Sequence, residues 1–283
     1  MNADLHCHSR VSDGTLQPEE LAARAKANGV QLWALTDHDE TGGVARARAA
    51  ALAIRLPYLT GAEVSVTFAD TTVHIVGLGF DADDPTLLAG LQATRGGRRE
   101  RALEMADGLA RAGIAGAFDG ALKYVSNPDL ISRTHFARHL VDSGVCGDTH
   151  EVFRKYLVEG KPGYVPHRWA TLRNAVEWIT GAGGLAIIAH PARYKFTANE
   201  EYALFSEFKA LGGQGVEVVT GSHSAAEALR YADTALEFGL YASRGSDFHS
   251  PTESHTDLGT LPALPGRLTP VWEALESRVH RPA

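Results

Sequence analysis

The chain has 283 residues, of which 44% are hydrophobic and 22% are charged, and its formal net charge is −7. This length supports one large core or one domain with an insertion, and the acidic charge argues against a basic track for long nucleic acids. Two cysteines exclude a disulfide framework, and no apolar run approaches the roughly 20 residues of a membrane span. The N-terminus lacks the pattern of a signal peptide, so we expect a cytoplasmic protein.

Strands and helices alternate in the first 84 residues. The strands are predicted over 2–7, 32–36, 58–66 and 72–78, and helices follow the first two, over 18–28 and 43–55. Pro18 and Glu19 are typical of a helix start, because proline fits the first turn and a carboxylate favours the positive end of the helix.

The strands stop at Pro85, where a helical pattern begins. A long helix is predicted over 87–112, a short one within 113–127, and others over 131–140 and 149–158. We therefore predict that residues 85–168 form a helical insertion, which covers the mouth of a domain built from residues 1–84 and 169–283. A basic patch in the long helix is expected to be a solvated face; it consists of Arg95, Arg98, Arg99 and Arg101.

The alternation resumes after residue 169. Short apolar strands separated by helices are typical of a parallel α/β barrel covered by helices. Such a barrel, here with seven strands, carries its active site at the C-terminal ends of the strands. The remaining strands are predicted over 185–189, 215–219 and 241–243, and the helices over 171–181, 199–211, 225–238 and 270–279.

The first strand carries a motif that suits a metal ion. His6 and His8 stand two residues apart, so both side chains leave the strand on the same face. Asp13 follows in the loop after the strand. This arrangement predicts one part of a metal site, to which other strands must add ligands.

Nine residues of metal-ligand type lie in the predicted strands or directly after them. Mixed histidine and carboxylate ligands suit Mn, Zn or Fe, and this number is enough for two or three ions. Each residue alone has an ordinary structural explanation, but together they would be costly to bury without cations. They are His6, His8, Asp13, His38, Glu63, His74, His190, Asp247 and His249.

Several motifs of this chain occur together in one superfamily. They are His6-x-His8, Thr36-Asp37-His38-Asp39, Glu63, His74, Ala189-His190-Pro191 and Asp247-Phe248-His249. In this combination the chain resembles the PHP (polymerase and histidinol phosphatase) superfamily. The resemblance implies a distorted (β/α)7 TIM-like barrel with a helical insertion, and three divalent metal ions, with Mn expected and Zn or Fe as alternatives.

The resemblance also implies how the ligands are shared. One ion would be held by His6, His8, Glu63 and Asp247, a second by Glu63, His74 and His190, and a third by Asp13, His38 and His249. Glu63 would therefore bridge two ions.

Within the superfamily, the chain is most similar to the subfamily named TrpH or YciV. The similarity lies in residues 131–137, 161–165 and 221–224. It implies hydrolysis of the 3′-phosphate of 3′,5′-nucleoside bisphosphates, such as adenosine 3′,5′-bisphosphate, to the 5′-mononucleotide and phosphate. We expect in-line attack by metal-bound hydroxide without a covalent intermediate. The alternative in this subfamily is a 5′→3′ exonuclease that acts on short 5′-phosphorylated RNA.

Four residues are predicted to contact the substrate. Arg133 and His135 lie near the start of a predicted helix, where arginine and helix N–H groups bind phosphate. Arg193 lies near the predicted mouth, and His223 ends the sixth strand, where it would contact substrate or protonate the leaving alcohol. Catalysis is assigned to Asp13, His38, His249 and His223.

Two further functions stay open. A plain phosphomonoesterase such as histidinol phosphatase would use the metals but would have no need of the arginine-bearing insertion. A non-catalytic, metal-stabilised module of a polymerase is disfavoured by the complete ligand set. As a partner we expect a small nucleotide bisphosphate or the 5′ end of a short RNA, with no membrane and no long nucleic acid; the oligomeric state is not predicted.

Overall fold

The computed structural model of the protein describes residues 1–282. Strands and helices alternate along this part of the chain, which gives an α/β fold, and none of these helices combines the length and apolar character needed to cross a membrane. The strands are β1 (Ala3–Asp4), β2 (Leu32–Ala34), β3 (Tyr58–Leu59), β4 (Gly61–Phe68), β5 (Thr71–Leu78), β6 (Leu185–Ile188), β7 (Gly215–Thr220) and β8 (Tyr241–Gly245). The helices are α1 (Pro18–Ala27), α2 (Val44–Ala53), α3 (Pro85–Arg95), α4 (Arg98–Arg111), α5 (Ala117–Leu122), α6 (Arg133–Asp142), α7 (Thr149–Val152), α8 (Leu172–Gly181), α9 (Ala198–Ala210), α10 (Ala225–Glu237) and α11 (Val271–Ala274).

The strands form two sheets. β1, β2 and β3 pair in parallel, and the second sheet has the order β4-β5-β6-β7-β8. In the second sheet β6, β7 and β8 are parallel, whereas β5 runs antiparallel to both β4 and β6. The prediction of an all-parallel arrangement is therefore wrong for β5.

A two-residue turn explains the reversal of β5. Ala69 and Asp70 connect β4 to β5, and both have left-handed backbone angles, with φ of 45° and 56°. Two residues of this conformation form the tight turn of a β-hairpin, which joins antiparallel strands. The sequence signal is weak because Ala-Asp replaces the usual Asn-Gly. As a result, His74 lies within β5 and not at a strand end.

Backbone contacts also connect the two sheets. Beyond β1, the N–H of His8 donates a hydrogen bond of 2.8 Å to the carbonyl of Phe248, which follows β8. Beyond β2, His38 forms a parallel bridge with Glu63 of β4. The chain segments that follow β1, β2 and β8 thereby meet β4, and these segments carry most of the predicted ligands.

The apolar packing follows the expected periodicities. α8 buries Leu172, Ala175, Val176 and Ile179 against the second sheet, at the spacing of one helical face. A separate apolar cluster fills the space between the two sheets. It includes Leu5, Leu32, Leu59, Val76 and Ile187, and α11 contributes Val271 and Trp272.

Six α-helices, α3 to α8, lie between β5 and β6, and the first five of them fall within residues 85–168. The predicted long helix over 87–112 is interrupted at Gly96–Gly97, because Gly97 adopts a φ of 81° that glycine tolerates far better than other residues. The two resulting helices pack differently. Leu87 and Leu91 of α3 join the core of α8, whereas Ala102 of α4 begins a cluster of its own with α5, α6 and α7.

Gly90 marks the contact between α3 and α8. A Cβ at this position would lie 2.4 Å from the ring of Trp178. Alanine normally stabilises a helix by about 1 kcal/mol relative to glycine, but overpacking costs about 1–3 kcal/mol. We therefore predict that Gly90→Ala lowers the midpoint of urea unfolding.

The matched control for this prediction is Gly181→Ala. Gly181 is the last residue of α8, and no atom lies within 4 Å of its Cβ position. This variant should be neutral or slightly stabilising. A midpoint for Gly90→Ala at or above that of Gly181→Ala would contradict the close packing of α3 on α8.

Candidate metal centre

Glu63 lies among the predicted ligands and contacts five of them. β4 directs its side chain into the interior, where it is fully buried. Imidazole nitrogens approach both carboxylate oxygens. They belong to His74 (2.9 Å), His190 (3.1 Å) and His6 (3.3 Å) at Oε1, and to His38 (2.9 Å) and His8 (3.2 Å) at Oε2.

Two aspartates extend this cluster. Asp247 Oδ1 lies 3.1 Å from His8 Nε2. Asp13 Oδ1 lies 3.4 Å from His249 Nε2 and 3.8 Å from His38 Nε2. All nine residues predicted as ligands are therefore brought together at one place.

The donor atoms form four overlapping sets, in each of which they lie within 4.8 Å of one another. The sets share residues, so their number is not a number of ions. His190 groups with His6 and Glu63, whereas His74 groups with His38 and Glu63. The other two sets are His6, His8 and Asp247, and His8, Asp13, His38 and His249.

Several of these donor atoms are buried without a hydrogen-bond partner. His38 Nδ1 and Glu63 Oε2 lie 2.9 Å apart, yet neither forms a hydrogen bond within residues 1–282. An unpaired buried polar group costs about 1–3 kcal/mol, and atoms that converge without bonding to each other fit the ligands of a cation. Asp13 Oδ1 and the Nδ1 atoms of His8, His74 and His190 likewise have no hydrogen-bond partner within residues 1–282.

Burial and charge act on the titration of these residues in opposite ways. Burial favours neutral histidine, but the neighbouring carboxylates raise the pKa of His8 to about 10. At His190 burial dominates, and the pKa falls to about 4. Burial also opposes ionisation of the carboxylates, yet the surrounding imidazoles hold the pKa of Glu63 and Asp13 well below the usual range. Ionised carboxylates near neutral pH give the cluster the negative charge that binds cations.

Glu217 of β7 is a site residue that the sequence analysis missed. It is 1% exposed. Its Oε1 lies 2.9 Å from His6 Nδ1, and its Oε2 accepts a hydrogen bond of 2.7 Å from the N–H of His190. A hydrogen bond from His6 Nδ1 to this carboxylate leaves the Nε2 lone pair facing Glu63 and fixes the ring. Nothing in the sequence distinguishes this glutamate from an ordinary buried ion pair.

Asp37 fixes the loop that carries Asp13. It accepts hydrogen bonds from the N–H of Ser9 (2.7 Å) and from the hydroxyl of Ser12 (2.6 Å). Both donors lie between His8 and Asp13 in the chain. Asp37 therefore sets the path by which the chain leaves the first strand and reaches the next ligand.

Three site residues other than glycine have a left-handed backbone. The φ angles are 50° at Asp39, 26° at His190 and 53° at Asp247. Such conformations cost about 1–3 kcal/mol each and are found mainly where the surrounding structure enforces them, often at functional sites. Here they turn the chain directly after β2, β6 and β8, where the ligands begin.

A cavity of about 840 Å³ opens beside the cluster. Asp13, Glu63 and Asp247 line it, together with arginines from the helical segment. Trp169 also lines the cavity, and its ring packs against the guanidinium of Arg98, 4.5 Å away.

The prediction of a solvated face is wrong for Arg98 and Arg101, whereas Arg99 of the same patch is exposed. Arg98 and Arg101 are only 5% and 9% exposed. Arg98 pairs with Asp39, but in the described part of the chain no carboxylate pairs with Arg101 or Arg133. Burial, and then the charges of Arg133 and Arg98, lower the pKa of Arg101 to about 9. Arg98 and Arg101 are therefore site residues that the sequence pattern did not reveal. The break at Gly97 separates α4 from α3 and turns these two arginines toward the cavity.

Two of the predicted substrate-binding residues line the cavity, namely Arg133 and Arg193. The guanidinium of Arg193 lies 2.7 Å from Asp247 Oδ2, and its side chain is 47% exposed. Arg193 therefore connects the metal-ligand cluster to the open part of the cavity.

The other two predicted residues, His135 and His223, do not line it. His135 is fully buried, and its Nδ1 accepts a hydrogen bond of 3.0 Å from the N–H of Ser132, as a capping residue of α6. Both ring nitrogens of His223 bond to main chain, with Nδ1 3.0 Å from the carbonyl of Val218 and Nε2 accepting from Ala192. The structure thus places both histidines in supporting positions, away from the predicted substrate contacts.

Comparisons with known proteins place the chain in a family. The PHP domain profile matches residues 4–123. A 3′,5′-nucleoside bisphosphate phosphatase from Chromobacterium violaceum is 55% identical over 282 residues, which cover 100% of this chain and 99% of the relative. A 5′-3′ exoribonuclease from Haemophilus influenzae is 42% identical, covering 95% of this chain and 97% of the relative.

Two solved structures have a similar fold. An amidohydrolase from Chromobacterium violaceum, determined with bound sulfate, is 55% identical and superposes with a TM-score of 0.97, covering 100% of this chain and 99% of its own. A proposed metal-dependent phosphoesterase from Bifidobacterium adolescentis is 26% identical with a TM-score of 0.82, covering 97% and 95%.

Glu217→Gln tests whether the cluster holds metal. The change keeps the shape of the side chain but removes the charge that orients His6, and loss of such a supporting carboxylate typically lowers metal affinity 10–100-fold. We predict a loss of this size in the affinity for Mn²⁺, measured by calorimetric titration of the metal-free protein. Glu177→Gln in α8, where the glutamate is 57% exposed, is the control. An affinity equal to that of the control would contradict the role of Glu217.

Proposed function

Because this chain belongs to the PHP domain family, we propose that it hydrolyses the 3′-phosphate of 3′,5′-nucleoside bisphosphates to the 5′-mononucleotide and phosphate. The chain is a hydrolase that acts on phosphoester bonds. The assignment of the substrate follows the name of the relative from Chromobacterium violaceum, which matches this chain along its whole length. The observation that carries the proposal is the pair of unpaired arginines, Arg101 and Arg133, beside the candidate metal centre.

The ligand set fits three divalent ions, with Mn²⁺ expected and Zn²⁺ or Fe as alternatives. Such ions, when bound, lower the pKa of water and neutralise charge on phosphoryl oxygens. We assign Asp13, His38 and His249 to catalysis, since they line the cavity and would hold the third ion. The family resemblance would give the first ion His6, His8, Glu63 and Asp247, and the second ion Glu63, His74 and His190. The donor atoms themselves group His190 with His6 and Glu63, and His74 with His38 and Glu63.

Cys7 is not placed to act as the nucleophile of a covalent intermediate. Cys7 is fully buried, and its Sγ accepts a hydrogen bond of 3.2 Å from Trp33 Nε1, within the apolar packing on the other face of the strand. Arg193 is the residue that meets the scissile phosphoryl group, since it is half exposed and already lies against Asp247. His223 is not retained as a general acid, because main-chain groups occupy both of its nitrogens.

A second phosphate explains the arginine pair. Arg101 is buried and Arg133 is half-buried; their charges repel each other, and removing them from water without a counter-charge is costly. A charge-assisted hydrogen bond contributes about 1.5–3 kcal/mol, so an anion between them would be bound with useful affinity. A substrate with one phosphate at the metal centre and another at the arginines satisfies both sites at once.

The fold supports a cavity of this kind. We propose that the two sheets together form a distorted seven-stranded barrel, in which β3 and β4, separated only by Thr60, count as one strand. Hydrogen bonds join β1 to β8, and a bridge joins the segment after β2 to β4. Residues 85–168 would be the insertion that covers its mouth, because Arg98, Arg101 and Arg133 all come from this segment and line the cavity. Both cysteines are free thiols, which fits the cytoplasm.

The alternative is a 5′→3′ exonuclease acting on short RNA, as in the name of the relative from Haemophilus influenzae. A 5′-phosphorylated RNA end offers the same 5′-phosphate and an adjacent 3′ ester. A plain phosphomonoesterase of the histidinol phosphatase kind is disfavoured, because a single phosphate leaves Arg101 and Arg133 unpaired.

The substrate proposal is tested by phosphate release from the Mn²⁺-loaded protein. We predict that kcat/KM for adenosine 3′,5′-bisphosphate exceeds that for adenosine 3′-phosphate about 10–100-fold, the worth of one or two charge-assisted contacts. Both substrates contain the same scissile ester. Equal values would contradict a second phosphate site, and faster release from histidinol phosphate would support a plain phosphomonoesterase. A higher kcat/KM for release of mononucleotide from a 5′-phosphorylated dinucleotide would support the exonuclease.

A variant and its control test whether Arg133 binds the second phosphate. Arg133→Met should remove the preference by lowering kcat/KM for the bisphosphate, while kcat/KM for adenosine 3′-phosphate stays nearly unchanged. The control is Arg111→Met, at the exposed end of α4. A parallel loss on both substrates would mean that Arg133 does not read the second phosphate.

A further inference from the structure

α6 contacts both loops that supply one set of candidate ligands. At its start, the hydroxyl of Thr134 donates a hydrogen bond of 3.0 Å to Asp13 Oδ2, and that of Ser132 lies 3.4 Å from the same oxygen. One turn later, Arg138 binds the carboxylate of Glu253 through two hydrogen bonds of 2.7 and 2.8 Å. The helix thus bridges the loop after β1 and the loop after β8.

The two carboxylate oxygens of Asp13 lie in different surroundings. Oδ2 is held by the hydroxyls of α6, and the positive end of the helix favours the charge of the carboxylate. Oδ1 is buried and has no hydrogen-bond partner in residues 1–282. It faces His249 Nε2 at 3.4 Å, His38 Nε2 at 3.8 Å and His8 Nδ1 at 4.0 Å. The hydroxyls therefore turn one free oxygen toward the histidines.

The contact between Arg138 and Glu253 restrains the loop that carries His249. The hydroxyl of Ser254, next to Glu253, accepts hydrogen bonds from the N–H groups of His249 (2.9 Å) and Ser250 (3.2 Å). Arg138 is 6% exposed and Glu253 is half-buried, so this ion pair is shielded from solvent and geometrically defined. A helix of the insertion consequently restrains a second residue of the same ligand set.

We propose that α6 positions Asp13 and His249 for a divalent cation, so that binding of this cation and docking of the helical insertion stabilise each other. Thr134 and Arg138 are positioning residues in this arrangement. Neither one is a ligand, and each acts through the loop or carboxylate that it holds. The inference rests on the metal centre proposed above and adds that one of its ions depends on the insertion.

The coupling has to act in both directions. If the contacts of α6 raise the affinity for the cation, the cation must stabilise the docked helix by the same free energy. The donor sets that contain Glu63 but neither Asp13 nor His249 make no such contact with α6. The affinity of these sets for their ions should therefore not depend on α6. This selectivity separates positioning from a general loss of stability.

The test compares Thr134→Val, Thr134→Ser and the wild type. Valine keeps the shape and removes the hydroxyl, whereas serine keeps the hydroxyl. Mn²⁺ affinity and stoichiometry are measured by calorimetry and elemental analysis, and amide hydrogen exchange of α6 is followed with and without Mn²⁺. Thr234→Val is the control, since the hydroxyl of Thr234 in α10 bonds only to Arg230 of its own helix.

We expect Thr134→Val to bind one class of Mn²⁺ about 10–100-fold more weakly, with the other sites unchanged and with recovery in Thr134→Ser. Mn²⁺ should slow exchange in α6 of the wild type and slow it less in Thr134→Val. If Thr134→Val binds Mn²⁺ like the wild type, or if α6 exchanges equally with and without Mn²⁺, the inference is wrong while the metal centre stands. If the wild type binds no Mn²⁺, the metal centre and the inference are both wrong.

Discussion

The burial of Glu63 is the constraint on which the rest of the structure depends. Its carboxylate is fully buried and lies within 3.3 Å of five imidazole nitrogens. The site therefore collects more negative charge and more unpaired donor atoms than hydrogen bonds within the chain can satisfy. Divalent cations resolve this excess, because they bind carboxylate oxygens and neutral imidazoles together. Both the reversed strand β5 and the contacts between the sheets serve to bring these ligands to one point.

Around the ligands, a layer of buried carboxylates and hydroxyls determines their orientation. Glu217 holds His6, Asp37 holds the loop before Asp13, and Thr134 holds Asp13 itself. The surrounding structure also enforces the left-handed backbone at His190 and Asp247, since strain of this kind persists only where neighbouring contacts hold it. The geometry of the site thus depends on residues from both the sheets and helix α6.

The sequence predicted the ligands better than it predicted the surroundings. His6 and His8 follow from the two-residue periodicity of a strand, and His38, His190, Asp247 and His249 follow from their position after strands. Glu63 and His74 lie within β4 and β5. The reversal of β5 was not predictable in this way, because Ala69–Asp70 is a poor match to hairpin turns. The prediction of a solvated face is wrong for Arg98 and Arg101, because helix periodicity does not reveal the break between α3 and α4 at Gly97. His135 and His223 carry the right chemistry, but only the structure shows that main-chain groups occupy Nδ1 of His135 and both ring nitrogens of His223.

One cavity is lined both by the carboxylate cluster and by Arg101 and Arg133, and we propose that these opposite charges together select substrates with two phosphates. The central claim is that cations occupy the cluster around Glu63. The most direct measurement is anomalous diffraction at the manganese absorption edge from crystals grown with Mn²⁺. The account predicts strong anomalous peaks among the nine ligands, within bonding distance of Glu63, Asp13 and Asp247. A well-ordered cluster without an anomalous peak at saturating Mn²⁺ would contradict it.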